Sequence, residues 1–146
     1  MKTTRSIIAT LIIATIAAAG PGTALAATPW GETEEGTMIV TKLVFARGVE
    51  GRVPVEQDFA PTADGRRIYA HLELFNKGEP RQITLSWIRA GKPYHFVTLD
   101  VGRSPRWRTW AYLTLGADKT GPWSVEVRTK AGALLLAMPL LVAPSM

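Results

Sequence analysis

The chain contains no cysteine, which excludes a disulfide framework and any thiolate metal site. It has only two histidines, His71 and His95, and neither has a carboxylate at ligand spacing or a nucleophile motif beside it. A metal centre or a Ser-His type of catalysis is therefore not expected. Its glycines stand isolated at turn positions, so there is no glycine-rich phosphate loop. Long apolar runs are also missing. The longest, Ile7 to Ala19, is interrupted by Thr10 and Thr15, whereas a bilayer span needs about 20 consecutive apolar residues.

What that apolar run does fit is a cleaved signal peptide. Lys2 and Arg5 precede it, Gly20-Pro21 would break a helix after it, and Ala24-Leu25-Ala26 has the small-x-small form of a cleavage site. The expected organisation is a signal peptide over 1–26, a flexible acidic leader over 27–37 and a single domain over 38–143. The protein is then periplasmic or secreted after cleavage near Ala26. No cysteine follows the run, so a lipoprotein anchor is excluded, and no transmembrane anchor is expected. The charge left after cleavage is uneven. Residues 27–64 hold 3 basic and 7 acidic side chains, and residues 65–146 hold 12 basic and 5 acidic. The two parts either neutralise each other on packing or leave a basic face for an anionic partner.

Strand chemistry recurs along the rest of the chain. Met38 to Ala46 is β-branched and aromatic-rich. In Ile68 to Phe75 the residues Ile68, Ala70, Leu72 and Leu74 alternate with Tyr69, His71, Glu73 and Phe75. Gln82 to Arg89, Tyr94 to Val101, Arg106 to Leu115, Trp123 to Thr129 and Ala133 to Val142 follow, separated by turn residues; the stretch Gly48 to Ala63 reads as irregular. Pro139 places the last strand at an edge or a bulge. About seven strands without helical periodicity predict an all-β fold, an antiparallel immunoglobulin-like β-sandwich, with a small β-barrel as the alternative. Phase places Trp87, Trp107 and Trp123 inward.

The blocks ITLSWIRAGKPYHFVTLDV, WRTW and GPWSVEVRTKAGALL, preceded by MIVTKLVFARGVEGRVPVE, resemble an uncharacterised bacterial family known only as a domain of unknown function. The likeness runs from Met38 to Val142. It implies a bacterial, envelope-associated, β-rich domain without an established activity. The family's His two residues before the first Trp is Leu85 here, the Ser after the Trp-Arg-Thr-aromatic block is Ala111, and a later Lys is Leu113. A family site built on those polar positions would be missing.

One stripe has the composition of a binding site. Arg106, Arg108, Trp110 and Tyr112 alternate along one strand face, opposite Trp107, Ala111, Leu113 and Leu115. Flat aromatics stack on sugar rings or side chains, and arginine offers a planar fork to carboxylate or phosphate. Such a stripe is equally compatible with arginine stems lying over aromatic surface, or with a covering loop from the acidic N-terminal segment. Glu73 and Asp100 are the one outward carboxylate pair of interest, as a glycosidase needs two. The expected function is a non-catalytic envelope domain, not an enzyme and without a cofactor or metal, that binds a protein or glycan partner through a sheet face. Two alternatives remain open: an enzyme or enzyme accessory acting on cell-wall polymer, and a structural domain without a ligand. Export argues against nucleic acid as the partner.

Overall fold

The computed structural model describes residues 38–57 and 59–146. The expected signal peptide, its cleavage site near Ala26 and the acidic leader with Trp30 lie outside the described residues. The described chain is all β. In order it forms β1 (Met38–Ala46), β2 (Gly48–Glu50), β3 (Val53–Val55), β4 (Thr62–Ala63) and β5 (Arg67–Asn76). Then come β6 (Arg81–Arg89), β7 (Lys92–Val101), β8 (Ser104–Thr114), β9 (Gly121–Thr129) and β10 (Leu134–Pro144). Seven of these are long, in keeping with the sequence pattern. Among the described residues no helix is long and apolar enough to cross a membrane.

Two sheets share one core. The first has the order β1-β5-β8 and the second β4-β10-β9-β6-β7, with β2 and β3 forming a separate hairpin. Taken by themselves, the seven long strands place the first, second and fifth in one sheet. The other sheet runs seventh, sixth, third, fourth, which is the arrangement of an immunoglobulin-like sandwich. All long-strand pairings are antiparallel; the two-residue β4 pairs parallel with the end of β10.

Alternation explains how the layers close. Ile68, Ala70, Leu72 and Leu74 of β5 are fully buried and face Ile83, Leu85 and Trp87 of β6 with Val125 and Val127 of β9 in one continuous cluster. Each such aliphatic side chain removed from water contributes about 1.5–3 kcal/mol. Pro139 sits in β10, which has a register shift between Leu134 and Leu136 and only the short β4 on its other side. Trp87 and Trp123 are buried as expected. Trp107 is not: it points inward but is only partly buried, because β8 is an edge strand and its indole closes the side of the sandwich. There it lies against Gly102, and its Nε1 donates to the Asp100 carbonyl at 2.9 Å.

The segment Gly48 to Ala63, which lacks regular alternation, holds more structure than its pattern suggests. Gly51 and Arg52 both adopt positive φ (54° and 67°) and link β2 to β3 as a two-residue turn. This left-handed pair matches the twist of the flanking strands. The hairpin folds back onto the outer side of β5.

Candidate functional site

The outer face of the first sheet gathers the stripe. Register sets Tyr112 opposite Tyr69, Trp110 opposite His71 and Arg108 opposite Glu73, while β1 contributes Val44 beside His71 and Lys42 beside Glu73. Arg106, Arg108, Trp110 and Tyr112 therefore do share one face. That face includes a second row, Arg67, Tyr69, His71 and Glu73, which was legible as the outward phase of β5 but could be joined to β8 only once the pairing was known.

The contacts across the two rows are specific. The His71 and Trp110 rings are nearly coplanar in orientation (5°) with centroids 6.0 Å apart. Tyr69 and Tyr112 tilt against each other at 5.6 Å, and the Arg67 guanidinium lies 4.2 Å from the centre of the Tyr112 ring. Arg106 donates to Glu73 Oε2 at 2.7 Å, and Arg108 Nε stands 3.8 Å from the same oxygen. The bond from Arg106 holds the Glu73 carboxyl below its usual range against partial burial, with the charges of Arg106, Lys42 and Arg108 adding to the effect. The three strands carry Lys42, Arg67, Arg106 and Arg108 against a single carboxylate, so the face keeps an excess of positive charge.

Part of this face is covered, and here the structure corrects the sequence reading. Alternation puts His71 on the outward side of β5, away from the core, yet it is 1% exposed. The β2–β3 hairpin covers it, and the Arg52 carbonyl lies 2.9 Å from His71 Nε2. Burial is the main reason that its pKa is pushed below the ordinary histidine value; the bond to Arg52 and the charge of Glu73 oppose this, and Arg108 and Lys42 assist it. Trp110 is thereby half-buried, with one ring face occupied by His71. Arg106 (59% of its side chain) and Tyr112 (46%) remain exposed, while Arg108 is less so. The cover comes from the β2–β3 hairpin, which belongs to the acidic N-terminal segment 27–64.

The carboxylate pair does not converge. Glu73 lies on the outer face of the first sheet, bonded to Arg106, whereas Asp100 belongs to the second sheet and accepts a bond from Gln82 at 3.0 Å. His95 sits opposite Trp87 in the β6–β7 pair and is exposed. A depression of about 350 Å³ at Trp107, Gly102 and Gln82 and another of about 290 Å³ at Phe45 and Phe59 lie away from the stripe. The arrangement suits recognition by a flat, cationic, aromatic surface.

A family model described as "Protein of unknown function (DUF2914)" matches residues 80–138. The match spans the three tryptophan-containing blocks from the start of β6 into β10, so the resemblance to an uncharacterised family holds over that stretch. No curated protein matches the chain.

Proposed function

We propose that the chain is a non-catalytic binding domain of the bacterial envelope, and that it engages an anionic protein or glycan surface through the outer face of β5 and β8. The observation that carries this reading is the cross-strand ladder Tyr69–Tyr112, His71–Trp110 and Glu73–Arg108, on three strands whose outer side carries four cations and one carboxylate, with Glu50 and Arg52 added by the covering hairpin. Tyr112 and Arg106 offer exposed contact, and the half-buried Trp110 stands between their positions along β8. Glu73 fixes Arg106 and draws Arg108 near, so the guanidinium groups are ordered before a partner arrives, which reduces the entropy lost on binding.

The test uses the expressed protein against an array of anionic and neutral glycans and against isolated envelope fragments. Trp, Tyr and Arg concentrate interface energy, so Tyr112→Ala and Arg106→Ala together are expected to weaken binding by about 2 kcal/mol or more. Stability should fall by no more than about 1 kcal/mol, as both side chains are largely in solvent. Binding should also weaken as salt rises, because exposed charges are screened within about 10 Å at 0.1 M. Binding indifferent to both substitutions would remove this face as the site.

A further inference from the structure

The described part of the sandwich has four sheet edges, and three of them are guarded. β1 carries Lys42 and a register shift after Val40, and it touches β3 and β10 along its side. β8 carries Pro105, Arg106 and Arg108. β4 is two residues long. Short length, charge, proline and bulges are the devices by which sheet edges avoid joining other strands.

β7 is different. Among the described residues it is paired in a sheet on one side only, with β6, and its last residues are covered where β8 adjoins it and Trp107 bonds to the Asp100 carbonyl. Lys92, Pro93 and a register shift opposite Trp87 and Ile88 protect its first turn of pleat. Beyond them, His95 to Leu99 contains no acidic or lysine/arginine side chain, no proline and no irregularity. Phe96 stands on the outer face of the second sheet beside Ser86 and is 70% exposed. On that face Arg128 is bonded to Glu126 at 2.9 Å, and the Asp100 carboxylate, which accepts a bond from the neutral Gln82, lies three residues from Val97 and outside the uncharged stretch.

We infer that β7 pairs antiparallel with β7 of a second copy of this chain. Self-pairing about a two-fold axis sets a strand's centre against itself, so it requires a centre without like charge. The stretch His95 to Leu99 meets that requirement. Centred on Val97, the pairing puts His95 across from Leu99 of the partner subunit and Phe96 across from Thr98 of the partner subunit. Both Phe96 rings then lie near the axis on one face and lose much of their exposed area. The cationic surface of the first sheet, where the two copies would repel, lies on the opposite side of the sandwich and stays out of the contact. An antiparallel edge pair has its axis perpendicular to the sheet, so both first sheets turn the same way. The dimer offers two aromatic-cationic faces to one anionic surface, which raises avidity without new contacts. That last consequence rests on the proposed function; the pairing does not.

Sedimentation velocity of the expressed chain over a concentration series tests the pairing. A dimer is expected, and Phe96→Lys should raise its dissociation constant by at least about tenfold by bringing like charges together at the axis. At concentrations too low for the native chain to dimerise, the melting temperature of the variant should match the native one, because Phe96 is outside the core. The absence of cysteine gives a second arm. Phe96→Cys should be joined to itself by a short bifunctional thiol reagent, and Leu141→Cys, exposed on β10 across the same sheet, should not. A chain that stays monomeric with unlinked Phe96→Cys, or a dimer unaffected by Phe96→Lys, overturns the inference. Loss of the dimer in Phe96→Lys with retained binding of a single envelope probe would separate this contact from the ligand site.

Discussion

At the scale of single residues, His71 shows how position outweighs phase. Its strand phase points it away from the core, and the alternation of β5 was read correctly. Its burial is decided by the hairpin that follows β1, a contact between Arg52 and His71 that no local pattern announces. The consequence is measurable as a pH dependence. A histidine whose folded pKa lies below its unfolded value of about 6.5 binds its proton more weakly in the folded state. Stability is then complete above the unfolded pKa and declines as pH falls from there toward the folded pKa. The native protein is expected to lose melting temperature as pH falls below the unfolded histidine value of about 6.5. His71→Gln retains an amide donor for the Arg52 carbonyl and should flatten that slope. A separate loss belongs to more acidic solution. Asp64 is pushed upward by burial, but bonds from Arg66 and Thr62 and the charge of Arg47 overcome this and leave its pKa well below the usual carboxylate range. Glu73 is also depressed, so both stabilise above their unfolded pKa values and cease to as pH falls through their folded ones. A scan of melting temperature against pH in native and His71→Gln protein distinguishes the two windows.

Among the elements, the turns and the β7–β8 corner carry the sharpest expectations. The β6–β7 hairpin closes through Ala90 and Gly91, which have φ of 49° and 81°. Glycine takes this conformation freely, whereas alanine in it costs about 1–2 kcal/mol. Ala90→Asn, which tolerates this conformation without the added chain entropy of glycine, should therefore stabilise the protein by up to about 1 kcal/mol, checked by denaturant midpoint. At the corner, a Cβ on Gly102 would lie 2.7 Å from the Trp107 ring. Gly102→Ala must displace that indole and its bond to Asp100, at a cost of about 1–3 kcal/mol by overpacking; the accompanying change should be visible in the tryptophan near-ultraviolet spectrum. The seven long strands were legible because β-branched, aromatic and aliphatic residues alternate with polar ones between turn residues. The β2–β3 hairpin was not, since Gly51 and Pro54 interrupt a segment too short to show a period. The bond between Glu73 and Arg106 was equally hidden, because 33 residues and a sheet crossing separate its partners.

For the molecule as a whole, the decisive feature is that both sheets contribute to one apolar cluster, with no covalent link to hold them. Separation of the sheets would expose that cluster, so unfolding should be a single cooperative transition that reductant leaves unchanged. The two buried tryptophans allow the strength of the shared core to be probed from its middle and its end. Truncating either to alanine should cost about 3–5 kcal/mol. Replacement by phenylalanine should separate them. Trp123 donates its Nε1 hydrogen to the Lys119 carbonyl at 2.9 Å, so Trp123→Phe leaves that carbonyl without its partner as well as removing volume. Trp87 is fully buried against Phe45 and has no acceptor for its Nε1 among the described residues. Trp87→Phe removes volume too, but it also removes a buried donor that is unsatisfied, and such a group costs about 1–3 kcal/mol. Trp87→Phe is therefore expected to be the milder of the two by about 1 kcal/mol or more, read from denaturant unfolding with far-ultraviolet and fluorescence signals that coincide. If Trp87→Phe proves the more damaging, its indole nitrogen has a partner in the folded protein, and the shared core is held at its centre by a polar contact as well as by packing.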